Sequence, residues 1–210
     1  MRKIEVRRWS PYIPTMETRA EKRRRLASGL EASCTEGNLR ALQEAVDLGV
    51  DLRAYGNAAV IAACANGDVE VLDRLLAAGL GVKDLRAREN KAINQACANG
   101  HVAVLDRLLS AGLGVEDLRA DDNYAVRWAC GNGHVAVLDR LLSAGLGVED
   151  LRDWYNDAVQ MACENGHDAV LDRMLAAGLG VEDLKAQDNY AVRHACENGH
   201  VAVLDRLLAA

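Results

Sequence analysis

The sequence predicts an all-α solenoid of stacked, short helix pairs, and three observations carry that prediction. The tripeptide Asn-Gly-His or a near variant begins at Asn66, Asn99, Asn132, Asn165 and Asn198, so the chain repeats itself with a constant 33-residue period. There is no Phe, and aromatic residues make up 4% of the chain. A core drawn from Ala, Val and Leu suits thin layers better than a deep globular interior. The two prolines, Pro11 and Pro14, both precede the repeats, so everything after them is free to be helical.

Residues 1–26 are not a repeat. Met1–Trp9 alternates loosely (Ile4, Val6), which fits a short strand or a disordered arm, and Glu17–Leu30 reads as a helix containing the run Lys22-Arg23-Arg24-Arg25. That run suits the polar face of an N-terminal cap, which a solenoid needs. A nuclear or nucleic-acid signal is the alternative. Charge divides accordingly: residues 1–29 carry nine Lys/Arg and three Asp/Glu, while the rest carries sixteen and twenty-eight, within a formal net charge of −6. An acidic body argues against broad nucleic-acid binding, leaving only the arm for it. No apolar run approaches the ~20 residues of a membrane span. The basic N-terminus lacks the apolar stretch of a secretory signal. An intracellular, reducing location, the cytoplasm, is the simplest expectation, or the cytoplasm or nucleus of a host cell if the chain is an effector.

The repeating units are expected at about 27–56, 57–89, 90–122, 123–155, 156–188 and 189–210. The first is shortened, because Cys34 precedes Cys64 by 30 residues and the gap lies around Asp47–Asp51. The stretch Asn99–Arg119 recurs without change as Asn132–Arg152. Within the unit that starts at Asn123, this Asn is expected to cap a first helix from about Tyr124 to Gly131. Asn132-Gly133 breaks it. A second helix follows from about Val135 to Ala144, with Val135, Val137, Leu138, Leu141 and Leu142 on one stripe. Such pairs bury little surface alone and gain stability by stacking.

The 33-residue period, the Ala-Cys-x-Asn-Gly-His turn and the Val-Leu-x-x-Leu-Leu-x-x-Gly second helix resemble ankyrin repeats over roughly residues 27–210, in the divergent form common in large DNA viruses and some protists. Tyr124-Ala125-Val126-Arg127 stands where the family has Thr-Pro-Leu-His. The connector Val148-Glu149-Asp150-Leu151-Arg152 has no strand alternation and no turn glycine. Its acidic start and basic end suit a helical turn. The β-hairpin fingers of the family are therefore expected to be reduced or replaced by short helical segments, with a shortened hairpin as the alternative.

Several columns look chemical and read better as scaffold. Cys34, Cys64, Cys97, Cys130, Cys163 and Cys196 fall once per unit. Equivalent positions in stacked helices lie ~8–10 Å apart, beyond the ~7 Å between Cα atoms that a disulfide spans. They are expected to be small buried thiols. His101, His134, His167 and His200, replaced by Asn38 and Asp68 in earlier units, fit local hydrogen bonding where the second helix begins. The Asp-Arg pairs at 73–74, 106–107, 139–140, 172–173 and 205–206 fit exposed charge that aids solubility and sets register between units. No phosphate loop, dinucleotide fingerprint, zinc-protease motif or nucleophile elbow is present. No catalytic residue, metal ligand, cofactor or small-molecule substrate is expected.

The columns that vary between units are the candidates for recognition. They are Tyr55, Arg88, Asp121, Trp154 and Gln187, then Gly56, Glu89, Asp122, Tyr155 and Asp188, in the connector. At the start of the first helix they are Ala58, Lys91, Tyr124, Asp157 and Tyr190. Inside it they are Ile61, Asn94, Arg127, Gln160 and Arg193, then Ala62, Gln95, Trp128, Met161 and His194. Six of the eight Trp and Tyr residues fall here, and Trp, Tyr and Arg are favoured interface anchors. The resemblance implies that connector and first helix line a concave, partner-facing side. The expected contact set is Tyr55, Arg88, Tyr124, Arg127, Trp128, Trp154, Tyr155, Met161, Tyr190, Arg193 and His194. Packing explains Tyr124, Tyr190 and Trp128 equally well. Trp154 and Tyr155 replace charged or polar residues of sister units, and no scaffold need is evident for them. Asp121, Asp122, Glu149 and Asp150 make the face acidic and suit a partner with a basic patch. The expected function is thus a protein-binding module: an adaptor, inhibitor or effector. The alternatives are a nucleic-acid-associated protein acting through its arm, or a non-catalytic fragment of something larger. The last helix pair has an apolar flank and no polar cap after it, so a longer parent array or self-association at that end is expected.

Overall fold

The structure, a computed structural model, describes residues 17–209, except the side chain of Tyr55. The expected strand or arm at Met1–Trp9 therefore lies outside the described residues. Within them the chain forms fifteen helices and no strand. α1 (Arg19–Ser28) leads into the first unit, α2 (Leu30–Thr35) and α3 (Leu39–Asp47). The second unit is α4 (Ala54–Asn66), α5 (Val69–Ala77) and the short α6 (Val82–Leu85); the third is α7 (Ala87–Ala98), α8 (Val102–Ser110) and α9 (Val115–Leu118). α10 (Ala120–Gly131) and α11 (Val135–Ser143) follow. In α12 (Val148–Glu164) and α14 (Val181–Glu197) the connector helix and the next first helix join through a left-handed kink. Their partners are α13 (Asp168–Ala176) and α15 (Val201–Ala209).

Small side chains explain how the layers stack. Ala92, Ile93, Ala96 and Cys97 in α7, like Ala125, Val126, Ala129 and Cys130 in α10, are fully buried. With so little between them, successive first helices approach closely, whereas the second helices touch more lightly. The second helices contribute the expected stripe: Val71, Leu72 and Leu75 in α5 and their counterparts in α8, α11 and α13 are wholly buried. The result is one continuous core, in which each layer is covered by the next.

The turn between the two helices shows why Asn-Gly-His recurs. Gly133 adopts φ +79°, a left-handed conformation that favours glycine, and a Cβ there would lie 2.7 Å from Nδ1 of His167. His134 Nε2 lies 3.0 Å from the carbonyl oxygen of Ala98 in the preceding unit, and Asn132 Nδ2 donates to the same oxygen at 2.7 Å. A carbonyl can only accept, so Nε2 carries the hydrogen. The sequence expectation of a local bond holds for Asn38 and Asp68, which accept from the amides of Ala41 and Val71. It fails for the histidines, which reach back one whole unit. The longer imidazole can span the gap that Asn and Asp cannot.

The connector is helical, as expected, and a pattern of ion pairs locks it. Arg53, Arg86, Arg119 and Arg152 each grip an aspartate 31 residues later (Asp84, Asp117, Asp150 and Asp183) with Nε and Nη2. Each aspartate also accepts the amide of the glycine that opens its short helix, as Asp117 does from Gly114 at 2.9 Å. All four carboxyls are held below the ordinary range. For Asp117 and Asp183 the arginine bond dominates; for Asp84 and Asp150 burial pushes upward and is outweighed by the arginine and the glycine amide. A second ladder runs along the outer helices, pairing Arg107 with Asp73, Arg140 with Asp106, Arg173 with Asp139, and Arg206 with Asp172. The register role read from the Asp-Arg repeats is realised between units.

The two ends differ. Leu26 of α1 is buried, Thr18 and Glu21 close a capping box, and Arg23 Nη2 donates to the Gly49 carbonyl at 2.5 Å. Arg53 makes the same kind of bond to Gly79 one unit on, at 3.0 Å. α1 thus stands in for a preceding unit. At α15, Val201 is 65% and Leu208 82% exposed. Cys196 is exposed, whereas the other five cysteines are buried. All six are free thiols, and burial pushes those of Cys34, Cys64, Cys97 and Cys163 up to about 12.

Candidate functional site

Between each connector helix and the next first helix the backbone turns through consecutive left-handed residues. Gly56-Asn57 does so first, followed by Arg88-Glu89-Asn90, Asp121-Asp122-Asn123, Trp154-Tyr155-Asn156 and Gln187-Asp188-Asn189, all with φ between 50° and 67°. Such residues cost L-amino acids ~1–2 kcal/mol each, with Asn and Asp the most tolerant. That tolerance explains the Asn closing every turn. Asn123, expected to cap the first helix through its side chain, is instead left-handed (φ 57°, ψ 32°), and its Nδ2 donates to Asp153 at 2.8 Å. The amide oxygens of Asn57, Asn90, Asn123 and Asn156 are buried without a partner.

In three of these turns the middle residue is fastened from the first helix. Asn94 donates to the carbonyl of Glu89 at 3.3 Å, Arg127 to that of Asp122 at 3.3 Å, and Gln160 to that of Tyr155 at 2.6 Å. This column varies in identity but keeps a donor, a role that sequence comparison between units did not reveal. The signal was available: Asn94, Arg127 and Gln160 all carry an N–H group, and each reaches back to its turn.

The residues singled out in the sequence fall into three groups. Tyr124 and Trp128 stack one helical turn apart, with ring centroids 5.6 Å apart, and Lys91 of the preceding unit lies 5.2 Å from the Tyr124 ring. Tyr190 and His194 repeat the arrangement at 4.0 Å; the Tyr190 hydroxyl meets Glu164 at 3.2 Å, and His194 meets Glu197. Burial, then Glu164, raises the Tyr190 phenol above its ordinary value. These rings are half-buried and packed together. Met161 lies over Gly131, where a Cβ would come within 2.5 Å of its methyl carbon. Arg127 pairs with Asp157 at 2.7 Å and lies 5.2 Å from the Trp154 ring. Arg88 and Arg193 are exposed, and the Tyr55 side chain lies outside the described residues.

Trp154 and Tyr155 stand apart. They are 51% and 74% exposed, on left-handed backbone, and with Arg152 and Asp153 they line an open surface pocket of about 550 Å³. Arg127 supports one face of Trp154. The same turn positions in neighbouring units carry Glu89, Asp121, Asp122 and Asp188, all exposed and in no ion pair among the described residues. An aromatic pair thus sits on a rim whose turn positions are mostly acidic, with the exposed Arg88 and Gln187 among them. Among the described residues no group of His, Cys, Asp and Glu is placed to hold a metal ion, and no helix is long and apolar enough to cross a membrane.

Stacked helix pairs with a glycine turn, repeated every 33 residues, form an ankyrin-repeat-like solenoid, whose arginine-locked helical connectors are its own feature. A search of solved structures agrees: the crystal structure of the human ASB11 ankyrin repeat domain is similar with a TM-score of 0.69 over 86% of this chain and 82% of that one, at 21% sequence identity. No family model and no curated protein matches the sequence.

Proposed function

We propose that this chain is a protein-binding module of the adaptor, inhibitor or effector kind, with no catalytic role, docking its partner on the connector rim and the adjoining first helices. One observation carries the reading. Two bulky aromatic side chains are held exposed on left-handed backbone, where the flanking units place Arg88-Glu89, Asp121-Asp122 and Gln187-Asp188. Strain of this kind persists where the surroundings enforce it, and it clusters at functional positions. Large aromatics dominate binding energy at interfaces. The acidic residues beside them favour a basic partner and speed its approach. The similar ankyrin-repeat domain supports a binding role by analogy of fold.

The buried free thiols support an intracellular, reducing setting such as the cytoplasm. The basic residues of α1 support a cap more than a nucleic-acid site, since Arg25 pairs with Glu17, Lys22 with Glu44, and Arg23 with the Gly49 carbonyl. The apolar flank of α15 is a proposed self-association surface, which concentration-dependent sedimentation would reveal. The main reading is tested by capture from lysate, with the parent chain beside a Trp154→Ser/Tyr155→Ser variant of unchanged circular dichroism. A protein retained by the parent and lost by the variant supports it. Equal capture by both moves the site elsewhere.

A further inference from the structure

We infer that the rim recognises a polyproline II segment bearing cationic side chains at positions i and i+6 with proline at i+3; this rests on the rim being the docking surface. The argument begins with pitch. Glu89, Asp122, Tyr155 and Asp188 occupy the same position in successive turns, one per unit. Stacked helices are separated by ~8–10 Å. A β-strand advances ~3.3 Å per residue but alternates its faces, so side chains three apart point in opposite directions. A polyproline II helix has three residues per turn and rises ~3.1 Å per residue, so it returns a side chain to the same edge every ~9.3 Å. It is therefore the extended conformation commensurate with this rim.

Chemistry then assigns the positions. Tyr155, with Trp154 beside it, lies midway between Asp122 and Asp188. Flat exposed aromatics are the surfaces on which proline rings dock, and the preformed polyproline II helix loses little entropy on binding. Arg127 occupies one face of Trp154, and Tyr155, at 74% exposure, remains open. The carboxylates of Asp122 and Asp188 enter no ion pair among the described residues, and two arginines set two polyproline turns apart would each meet one of them. The order acid, aromatic, acid along the rim thus reads as cation, proline, cation along the ligand.

The test uses the whole chain and a fluorescein-labelled peptide with the core Arg-Pro-Ala-Pro-Pro-Ala-Arg, read by anisotropy. Two further peptides move the second arginine to i+4, or replace every proline by alanine. The expected result is saturable binding of the first peptide that both changes weaken. Asp122→Asn and Asp188→Asn should each weaken it about three- to fivefold, and Trp154→Ser/Tyr155→Ser about thirtyfold. Asp205→Asn, on the last outer helix, should leave it unchanged. Equal binding of the i+4 peptide would mean attraction by charge alone and overturn the spacing. Equal binding of the alanine peptide would overturn the conformation. No binding of any peptide, with lysate capture still dependent on Trp154 and Tyr155, would overturn this inference and leave the docking surface standing. Capture independent of those two residues would remove the surface itself.

Discussion

A single glycine in each turn carries more of the stacking than its size suggests. At Gly133, φ is +79° and the imidazole of His167 covers the space a side chain would need. Gly133→Ala is expected to cost about 2 kcal/mol or more, from left-handed strain and from the displaced histidine. In a chain of this size that lowers the melting temperature by roughly 4–8 °C, measurable by thermal circular dichroism. Gly81, with nothing within 4 Å of an added Cβ and no positive φ, is the control: Gly81→Ala should change little. The turn glycines were legible in the sequence from the Asn-Gly pairs. Their histidine lids were misread as local caps, because one sequence does not show that a side chain of the following unit closes over the turn.

Stability at this scale also depends on pH, in opposite senses at the two extremes. The carboxyls of Asp84, Asp117, Asp150 and Asp183 are depressed in the folded chain. Their contribution is therefore complete above the unfolded value of ~3.9 and fades as pH falls below it. Cys34, Cys64, Cys97 and Cys163 are raised to about 12. The unfolded chain ionises its thiols first, near pH ~8.5, so stability declines as pH climbs from there towards 12. Urea midpoints should form a plateau between about pH 5 and 8 and drop on both sides. A midpoint flat from pH 3 to 7 would contradict the role given to the four aspartates.

The left-handed turn is the element on which structure and recognition conflict. Trp154 and Tyr155 sit where Asp121 and Asp122 sit one unit earlier, on nearly the same backbone angles. Asp tolerates that conformation better than a bulky ring does. Trp154→Asp/Tyr155→Asp is therefore expected to keep or raise the denaturation midpoint while abolishing the capture that depends on the aromatic pair. A marked loss of stability would show that the rings are packing residues after all. That these two residues were candidates was legible from their contrast with sister units. That their backbone is left-handed was not: the Asn-terminated tripeptides resemble helix caps, and Asn123 was read as one. The donors at Asn94, Arg127 and Gln160 escaped notice for a related reason: a column that changes identity while keeping a donor looks variable, although its bond to the turn is maintained.

At the scale of the whole molecule, the fold was legible because its period is. A 33-residue repeat with two apolar helical stripes leaves few arrangements other than a stack. The bonds that fix one layer on the next were less so. Arg86 and Asp117 are 31 residues apart, Arg107 and Asp73 34, and His134 and Ala98 36. Three ladders with three offsets arise because donor and acceptor sit at different heights in the unit, and only coordinates pair them. The charges were visible, but their partners were not.

The near-identity of the internal junctions has a consequence for heredity. Asn99–Arg119 and Asn132–Arg152 are the same stretch of sequence, and each presents the same groups to the layers above and below. A gene that misaligns with itself at this stretch during recombination would lose or gain one whole period in frame. The protein made from it would acquire a seam chemically equivalent to those it already has. Excising residues 100–132 should accordingly yield a shorter array that folds cooperatively, with the helical circular dichroism per residue of its parent. Array length can then drift in whole steps between generations, while Trp154 and Tyr155 stay on their own unit and are merely carried nearer to one end.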